Sequence, residues 1–238
     1  MNKYDNYYSR QMAEFYDLIT NSGYYNYEKL VQIIESILGD RRKVLEIGIG
    51  TGNIAIPLAK QGFDVDGIDP SWLMLNIARE KVAREGLQIG LYQQDCLELN
   101  LESRYDAVLS HGGVPVYIRG KDDLILESYL PTLEQNYKAL QNIFHHLNGN
   151  GLFIANIQKE HGDRETLELG DNLYYSSSVT YSADFVIKTH YVKRGDEILM
   201  EQRFEIRRFE KKIIDDVLKQ IGFAILGEDK GFYVMKVE

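Results

Sequence analysis

The sequence predicts an α/β domain, built on a parallel sheet with helices on both faces and carrying an inserted antiparallel segment. Between residues 40 and 160, short apolar runs alternate with stretches of helical periodicity. Residues 198–207 instead alternate between apolar and charged side chains at eight of their ten positions, and two more apolar runs close the chain around a short turn. Alternating strands and helices are typical of a parallel sheet, because the crossover helices cover its faces. Alternation between apolar and charged side chains indicates a strand that buries one of its two faces.

The first half of the chain supplies the parallel part of this prediction. Residues 12–38 are predicted to form two helical pieces that break near Asn21-Ser22-Gly23. Ser71 is the predicted N-cap of a later helix, because its hydroxyl can accept from a free N–H group of the first turn. The remaining predicted elements are strands over 43–47, 63–69, 88–93 and 105–110, helices over 53–61 and 72–85, a helix after Pro131, a turn at 148–151 and a strand from 152.

The second half supplies the antiparallel part. Strands over 184–193 and 198–207 flank a turn at Arg194-Gly195-Asp196, so we predict an antiparallel finger over 172–208. A helix follows over 210–221. Two short strands, 223–226 and 231–235, then form a hairpin, because so short a connection permits only antiparallel pairing.

Composition excludes several classes of protein. The 238 residues include 27 Lys or Arg and 36 Asp or Glu, a net charge of −9, whereas a long nucleic-acid footprint requires a basic face. No apolar run approaches the ~20 residues that cross a bilayer, and the first ten residues do not resemble a secretory signal. The single cysteine, Cys96, excludes an internal disulfide and a multi-cysteine zinc site. We therefore expect a cytoplasmic protein that binds neither nucleic acid nor membrane.

A glycine-rich turn carries the main functional signal. The strand that ends at Ile47 leads into glycines at 48, 50 and 52 and then into a helix. Glycine lets a ligand approach the backbone closely, and a helix N-terminus offers free N–H groups and partial positive charge. Asp69 ends the next strand and is placed to bind ribose hydroxyls. Asp95 ends the third strand, where a carboxylate can accept from an adenine amino group.

These segments resemble the class I S-adenosylmethionine-dependent methyltransferases. The matching stretches are E-I-G-I-G-T-G over 46–52, G-I-D-P-S-W-L-M-L over 67–75, D-C at 95–96, Y-D-A-V-L-S over 105–110 and L-N-G-N-G-L over 147–152. The resemblance implies a Rossmann-like sheet of seven strands whose last strand is antiparallel, which agrees with the predicted terminal hairpin. It also implies S-adenosylmethionine as the cofactor, and no metal is required.

The resemblance implies a role for each matching position. Glu46 with Gly48, Gly50 and Gly52 would hold the methionine end of the cofactor. Asp69 would bind the ribose, Pro70 would lie beside the adenine, and Asp95 and Cys96 would lie at the adenine edge. His111 would line the sulfonium and the acceptor.

The N-terminus gives a finer resemblance. Phe15-Tyr16-Asp17 is similar to the start of small-molecule N-methyltransferases of the glycine and amino-sugar kind, in which the equivalent tyrosine reaches the cofactor. We therefore expect methyl transfer to a small molecule, with nitrogen preferred as acceptor and Tyr16 and His111 as catalytic residues. The implied organisation is a helical cap over the active site (1–40), a cofactor-binding core (41–171 and 209–238) and an insertion covering the acceptor pocket (172–208).

Alternatives stay open at this point. An O-methyltransferase would use His111 as a base. An NAD(P)-dependent oxidoreductase would prefer glycine where this sequence has Asn53. The Tyr117 and Lys121 spacing of short-chain dehydrogenases is interpreted as coincidence, because Gly120 interrupts the helix that this spacing needs. A noncatalytic cofactor-binding protein and a homodimer are also compatible with the sequence.

Overall fold

A computed structural model describes residues 9–112, 114–121, 123–160, 162–182 and 184–238. The predicted cap over 1–40 therefore lies outside the described residues at its first eight positions. Within the described ranges, no helix combines the length and the apolar character needed to cross a membrane.

Six α-helices and thirteen strands make up the described fold. The helices are α1 (Arg10–Ile19), α2 (Tyr27–Leu38), α3 (Ala55–Lys60), α4 (Trp72–Arg84), α5 (Leu133–His145) and α6 (Lys211–Ile221). The strands are β1 (Lys43–Ile47), β2 (Asp64–Ile68), β3 (Gly90–Tyr92), β4 (Tyr105–Ser110), β5 (Val116–Arg119), β6 (Leu124–Ser128), β7 (Leu147–Lys159), β8 (Arg164–Gly170), β9 (Leu173–Tyr181), β10 (Phe185–Arg194), β11 (Glu197–Glu210), β12 (Phe223–Asp229) and β13 (Phe232–Val237).

Seven of these strands form the core sheet, as predicted. Their order is β3-β2-β1-β4-β7-β13-β12. The first five are parallel, whereas β13 runs antiparallel to both β7 and β12. Neighbouring residues Val44 and Leu45 of β1 belong to two different apolar clusters, one packed with α2 and α3 and the other with α5 and α6. The predicted α/β sheet with helices on both faces is therefore confirmed.

A second sheet extends from the far end of β7 and is larger than the sequence predicts. Its order is β7-β5-β6-β11-β10-β9-β8, and only the β5–β7 pairing is parallel. The predicted range 172–208 therefore misses three strands: β5, β6 and β8. The reason is periodicity, because β5 and β6 are short and almost wholly buried and so lack the alternation that marks a half-buried strand.

The predicted turn at 148–151 is wrong in detail. These residues form a bulge within β7, since Leu147 pairs with Tyr105 while Leu152 already pairs with Ala107. Asn150 adopts a φ of 64°, in the left-handed region. The extra residues are accommodated by looping out of the ladder, so that parallel pairing with β4 resumes at Leu152.

Local signals place the helix that follows β2. The Ser71 side chain accepts a hydrogen bond from the Met74 N–H, as its predicted capping role requires. Gly86 follows the helix with a φ of 66°, a conformation that glycine adopts without steric cost. These two signals fix α4 directly after the end of β2, which brings its N-terminus to the edge of the sheet where the glycine turn lies.

Gly67 is the position at which we expect the fold to be most sensitive to a single methyl group. A Cβ at Gly67 would lie 2.2 Å from Cδ1 of Ile49, which follows the first glycine of the turn. We expect Gly67→Ala to lower the free energy of unfolding by about 1–3 kcal/mol, the usual cost of overpacking a core. Chemical denaturation of this variant and of Gly149→Ala measures the effect. Gly149 has open space around it, and an equal loss in both variants would contradict the assignment.

Candidate cofactor and acceptor site

The glycine turn is fixed to the end of β2 by backbone hydrogen bonds. The N–H groups of Gly48 and Ile49 both donate to the carbonyl oxygen of Ile68, at 2.8 and 2.9 Å. Gly48 and Gly50 have φ angles of 72° and 55°, which side-chain-bearing residues rarely adopt. The turn is therefore held rigidly at the carboxyl ends of the parallel strands, where ligands bind in open α/β sheets.

Asp69 joins the turn to the next helix. Its Oδ2 accepts from the Gly50 N–H at 2.9 Å and its Oδ1 from the Ser71 N–H at 2.8 Å. The carboxyl is buried, and burial raises the pKa of Asp69 to about 6 although both hydrogen bonds lower it. The structure thus places Asp69 at the predicted edge of the site and gives it a second task, which is to hold the glycine turn in place.

Glu46 is buried directly before the turn. Its Oε2 has no hydrogen-bond donor among the described residues, while the backbone N–H of Ala55 bonds to the carboxyl group. Burial, followed by the charge of Asp69, raises the pKa of Glu46 to about 8. The side chain lines a small cleft together with Tyr16, Gly48 and Thr51.

The third strand end carries the predicted adenine edge. Asp95 caps a short 3-10 turn, and its Oδ1 accepts from the Leu97 N–H at 2.9 Å. The neighbouring Cys96 is buried, and this burial raises the pKa of its thiol well above the usual value, which keeps it protonated and unreactive. Gln93 donates to the Pro70 carbonyl at 3.2 Å, which joins the ends of β2 and β3.

One cavity, which we call the cofactor cavity because the sequence predicts cofactor contacts for its lining, brings most of the predicted residues together. It is lined by all of them except Glu46 and Gly52, namely Tyr16, Gly48, Gly50, Asp69, Pro70, Asp95, Cys96 and His111. Glu46 lies in the adjoining cleft, which shares Tyr16, Gly48 and His111. Gly52 lines neither space, and a Cβ there would meet Ile56 at 3.2 Å. The structure places Gly52 in the packing of the turn, and its contact with the cofactor stays a prediction.

His111 lies where this cavity meets a second one. Its ring stands edge-on to Tyr25, with 5.0 Å between the ring centroids. Desolvation lowers the pKa of His111 to about 4, so the imidazole is neutral at physiological pH. A group of this pKa is a weak base, since efficient general bases have a pKa near the working pH.

A polar cluster fastens α1 onto the glycine turn and explains Asn53. Asp17 Oδ1 accepts from Thr51 Oγ1 at 2.5 Å and from Asn53 Nδ2 at 3.0 Å. Lys81 from α4 donates to Asp17 Oδ2 at 2.9 Å and to Asn53 Oδ1 at 2.6 Å. The side chain that departs from the dinucleotide-binding pattern therefore joins three elements around the site, which a glycine could not do.

Breaking this cluster should loosen the N-terminal helix. We expect Asp17→Ala to lower the free energy of unfolding by about 1.5–3 kcal/mol, because hydrogen bonds to a charged group are lost. We also expect cofactor affinity to fall, because Tyr16 on the same helix lines the cavity. Thermal unfolding and calorimetric titration measure the two effects. Glu14→Ala is the matched control, since Glu14 lies on the exposed side of α1, and a loss of the same size there would refute a specific role for the cluster.

The second cavity was not predicted from the sequence. This inner cavity has a volume of about 100 Å³ and lies under α1, between the loop after β4 and the second sheet. It shares Tyr16, His111, Gly112, Tyr129 and Phe204 with the cofactor cavity. Its polar residues include Glu127, Gln158, Lys188 and His190. One signal was present in the sequence, because Glu127 directly follows a run of three apolar residues, 124–126.

A wide groove leads outward from this region. It has a volume of about 720 Å³ and shares Tyr25, His111, Gln158 and Lys188 with the inner cavity. The N–H of Gly112 donates to Asn156 Oδ1 at 3.1 Å, which ties the loop after β4 to the wall of the groove. The groove therefore adjoins the inner cavity at these shared residues.

The chemistry of the donor set fits S-adenosylmethionine. A buried carboxylate oxygen that lacks a donor, Glu46 Oε2, suits the ammonium of the methionine end. Glycine backbone and a carboxylate at the next strand end suit the ribose, as the resemblance implies. Among the described residues, no group of three or more His, Cys, Asp or Glu is arranged to hold a metal ion.

Comparison with known proteins agrees with this geometry. Residues 44–151 match a family model described as "Methyltransferase domain". Over 211 residues the chain is 25% identical to "Putative methyltransferase YqeM" of Bacillus subtilis (strain 168), a match that covers 84% of this chain and 80% of that protein.

Solved structures share the fold. An S-adenosylmethionine-dependent methyltransferase from Clostridium acetobutylicum ATCC 824 superimposes with a TM-score of 0.73 at 20% identity, covering 95% of this chain and 98% of that one. The sugar N-methyltransferase KedS8 from Streptoalloteichus sp ATCC 53650 gives a TM-score of 0.70 at 16% identity, covering 94% and 92%. Both the core sheet and the second sheet are therefore included in these likenesses.

Proposed function

We propose that this chain is a class I S-adenosylmethionine-dependent methyltransferase that transfers the methyl group of this cofactor to a nitrogen atom of a small molecule. The observation that carries the proposal is the pair of adjoining cavities. One holds the residues expected at the cofactor, and the other opens onto it past Tyr16, His111 and Phe204. An acceptor in the second cavity lies next to the methyl-bearing end of the first.

The enclosure favours a small acceptor. The inner cavity is bounded by Met12 and Ile19 of α1 and by Tyr175 and Ile206 of the second sheet. A volume of about 100 Å³ admits a functional group of a small molecule but not a folded protein or a duplex. The predicted roles of residues 1–40 as a cap and of the 172–208 finger as a cover over the acceptor are part of this proposal.

Nitrogen is favoured over oxygen by the character of His111. An uncharged amine attacks with its own lone pair, whereas a hydroxyl gains from a base that removes its proton. With a pKa of about 4, His111 supplies little basicity for a hydroxyl. The likeness to the sugar N-methyltransferase KedS8 supports the same acceptor atom.

In this reaction the residues of the chain position the acceptor and the cofactor. The bound cofactor supplies a methyl group on a positively charged sulfur, which leaves readily without covalent help from the protein. Tyr16 and His111 border both cavities and would hold acceptor and methyl group in line. Neutral His111 and the aromatic rings around it exclude water without adding a competing charge.

Product analysis tests the proposal. The purified protein is incubated with ¹³C-methyl-labelled S-adenosylmethionine and with pairs of small amines and alcohols that share one carbon skeleton. We expect labelled amines and matching amounts of S-adenosylhomocysteine. Label on the alcohols alone would show an O-methyltransferase. Absence of product with every pair, despite cofactor binding, would show a noncatalytic binding protein.

A further inference from the structure

Glu127 is a buried acid that the reaction described so far does not use. It lies in the apolar strand β6, and only 1% of its surface is exposed. Its side chain lines the inner cavity. The Oε1 atom accepts no hydrogen bond from any residue that the structure describes. Buried carboxylates are costly unless they are hydrogen-bonded, so this oxygen requires an explanation.

Arg208, one of two cations whose charge acts on Glu127, does not supply that hydrogen bond. Arg208 Nε is 3.6 Å from Glu127 Oε1, beyond hydrogen-bond distance, and Nε itself has no acceptor among the described residues. The guanidinium instead donates from Nη2 to Glu160, at 3.1 Å. A structural arginine–carboxylate pair is usually bidentate and short. Arg208 therefore compensates the charge of Glu127 across 3.6 Å without donating a hydrogen bond to Oε1.

Aromatic rings line the same cavity as the carboxylate. Tyr129 and Phe204 are in edge-to-face contact, with 5.7 Å between their centroids, and both line the inner cavity and the cofactor cavity. Rings at such positions attract a cation through their negative faces and disfavour an anion. A carboxylate among aromatic rings is a site for a group that is positively charged and donates hydrogen bonds.

We propose that Glu127 binds the ammonium form of the acceptor amine and takes one proton from it before methyl transfer. This inference rests on the proposed function and names the acceptor class, a primary or secondary amine. In the first step an N–H bond breaks, its electron pair stays on nitrogen and the proton moves to the carboxylate of Glu127. In the second step the N–C bond forms as the S–C bond breaks, and the electron pair of that bond stays on sulfur. The product is a methylated ammonium ion, and Glu127 returns its proton to solvent after product release.

The electrostatics agree with a base at neutral pH. Burial raises the pKa of Glu127 to about 7, although the charges of Arg208 and Lys188 lower it. The charge of Glu160, from the segment after β7, raises the pKa further. The other titratable groups that line the cavity are Tyr16 and Tyr25 from the N-terminal region, His111 after β4, Tyr129 after β6, Tyr175 of β9 and His190 of β10. A pKa close to the working pH is the one that general bases require.

The test compares two probes of the same shape. Cyclohexylamine, which is charged at neutral pH, and cyclohexanol are titrated calorimetrically into protein saturated with S-adenosylhomocysteine. We expect the ammonium to bind at least ~10-fold more tightly to the wild-type complex, the size expected for one charge-assisted hydrogen bond. Glu127→Gln should abolish this preference. Glu205→Gln removes an equal charge from the exposed face of β11 and should retain it.

The pH dependence gives a second readout that a merely structural role would not move. The preference for the ammonium should be full above pH 7, where Glu127 is ionised, and should decline as the pH falls through 7. In Glu127→Gln the ratio should not change with pH. If Glu127→Gln does not fold, Glu127→Asp takes its place in the test. This variant keeps the charge but withdraws it from the cavity, so a smaller preference for the ammonium is expected.

Failure of the role of Glu127 and failure of the proposed function give different results in these titrations. A wild-type complex that does not prefer the ammonium, or a variant lacking Glu127 that keeps the preference, overturns the role of Glu127 while leaving cofactor binding intact. If the wild-type protein does not bind S-adenosylhomocysteine, the proposed function itself is overturned.

Discussion

Replacing Glu46 by Gln is expected to stabilise the free protein at pH 8 while weakening cofactor binding about 10- to 100-fold. Stability rises while cofactor affinity falls, because the ionised carboxyl of Glu46 stabilises a bound ligand and not the folded chain. Burial raises the pKa of Glu46 to about 8, so the folded protein prefers the protonated acid, which a Gln side chain mimics. Ionisation suits the ammonium of the cofactor, and a charge-assisted hydrogen bond contributes about 1.5–3 kcal/mol.

The sign of the pH dependence follows from the direction of this shift. A carboxyl with a raised pKa in the folded state binds more protons folded than unfolded. Its contribution to stability is therefore fully present below about pH 4.5 and is lost as the pH rises through 8. Thermal unfolding of the free protein between pH 5 and pH 8.5 should show this loss in the wild type and a smaller one in Glu46→Gln, since Asp69 and Glu127 are shifted in the same direction.

Cofactor binding should show the complementary dependence. Between pH 6 and 7.5, binding is expected to release about one proton, so affinity rises with pH in the wild type and is nearly constant in Glu46→Gln. Calorimetry in buffers of different ionisation enthalpy measures the released proton. Glu102→Gln, at an exposed position, is the matched control. Equal affinities of Glu46→Gln and the wild type would remove Glu46 from the cofactor site.

Replacing Asp69 by Ala is expected to weaken cofactor binding about 100-fold or more. Two losses combine, because the variant would lack both the predicted ribose contact and the acceptor for the N–H groups of Gly50 and Ser71. Each hydrogen bond to a charged group contributes about 1.5–3 kcal/mol, and the two backbone donors would be left buried without a partner. Stability should also fall, by about 2 kcal/mol or more.

Asp69→Asn separates the two contributions. The amide keeps one acceptor oxygen and the shape of the side chain, so stability should recover partly while affinity stays at least 10-fold below that of the wild type. Calorimetric titration with S-adenosylhomocysteine and urea denaturation measure the two quantities. Asp196→Ala lies in the exposed turn between β10 and β11 and is the control for loss of one charge. Unchanged affinity in Asp69→Ala would contradict the ribose contact.

The core of the fold and the cofactor end of the site could be predicted from sequence because their signals are local. A buried apolar strand, three glycines and a helix follow one another within residues 43–60, and acids at 69 and 95 end the next two strands. Carboxyl ends of parallel strands meet at one edge, so local order along the chain becomes proximity in space. The strand β4 and the helix α4 agree with their predicted bounds to within one residue.

The acceptor end could not be predicted because it is assembled from distant parts of the chain. The inner cavity joins α1, β6, β10 and β11, whose pairing depends on register and not on any local motif. Within β11, the alternation located Phe204 on an apolar face but gave no reason to place it beside Tyr129. Glu127 was visible only as an acid directly after an apolar run, and this position becomes informative once the burial of the side chain is known.

Parallel calorimetric titration of the purified protein with S-adenosylmethionine, S-adenosylhomocysteine and NADH tests the central claim most directly. We predict one site with micromolar affinity for the first two ligands, lost in Asp69→Ala, and no heat with NADH. Binding of NADH alone would contradict the assignment of the glycine turn, Asp69 and Asp95 to S-adenosylmethionine.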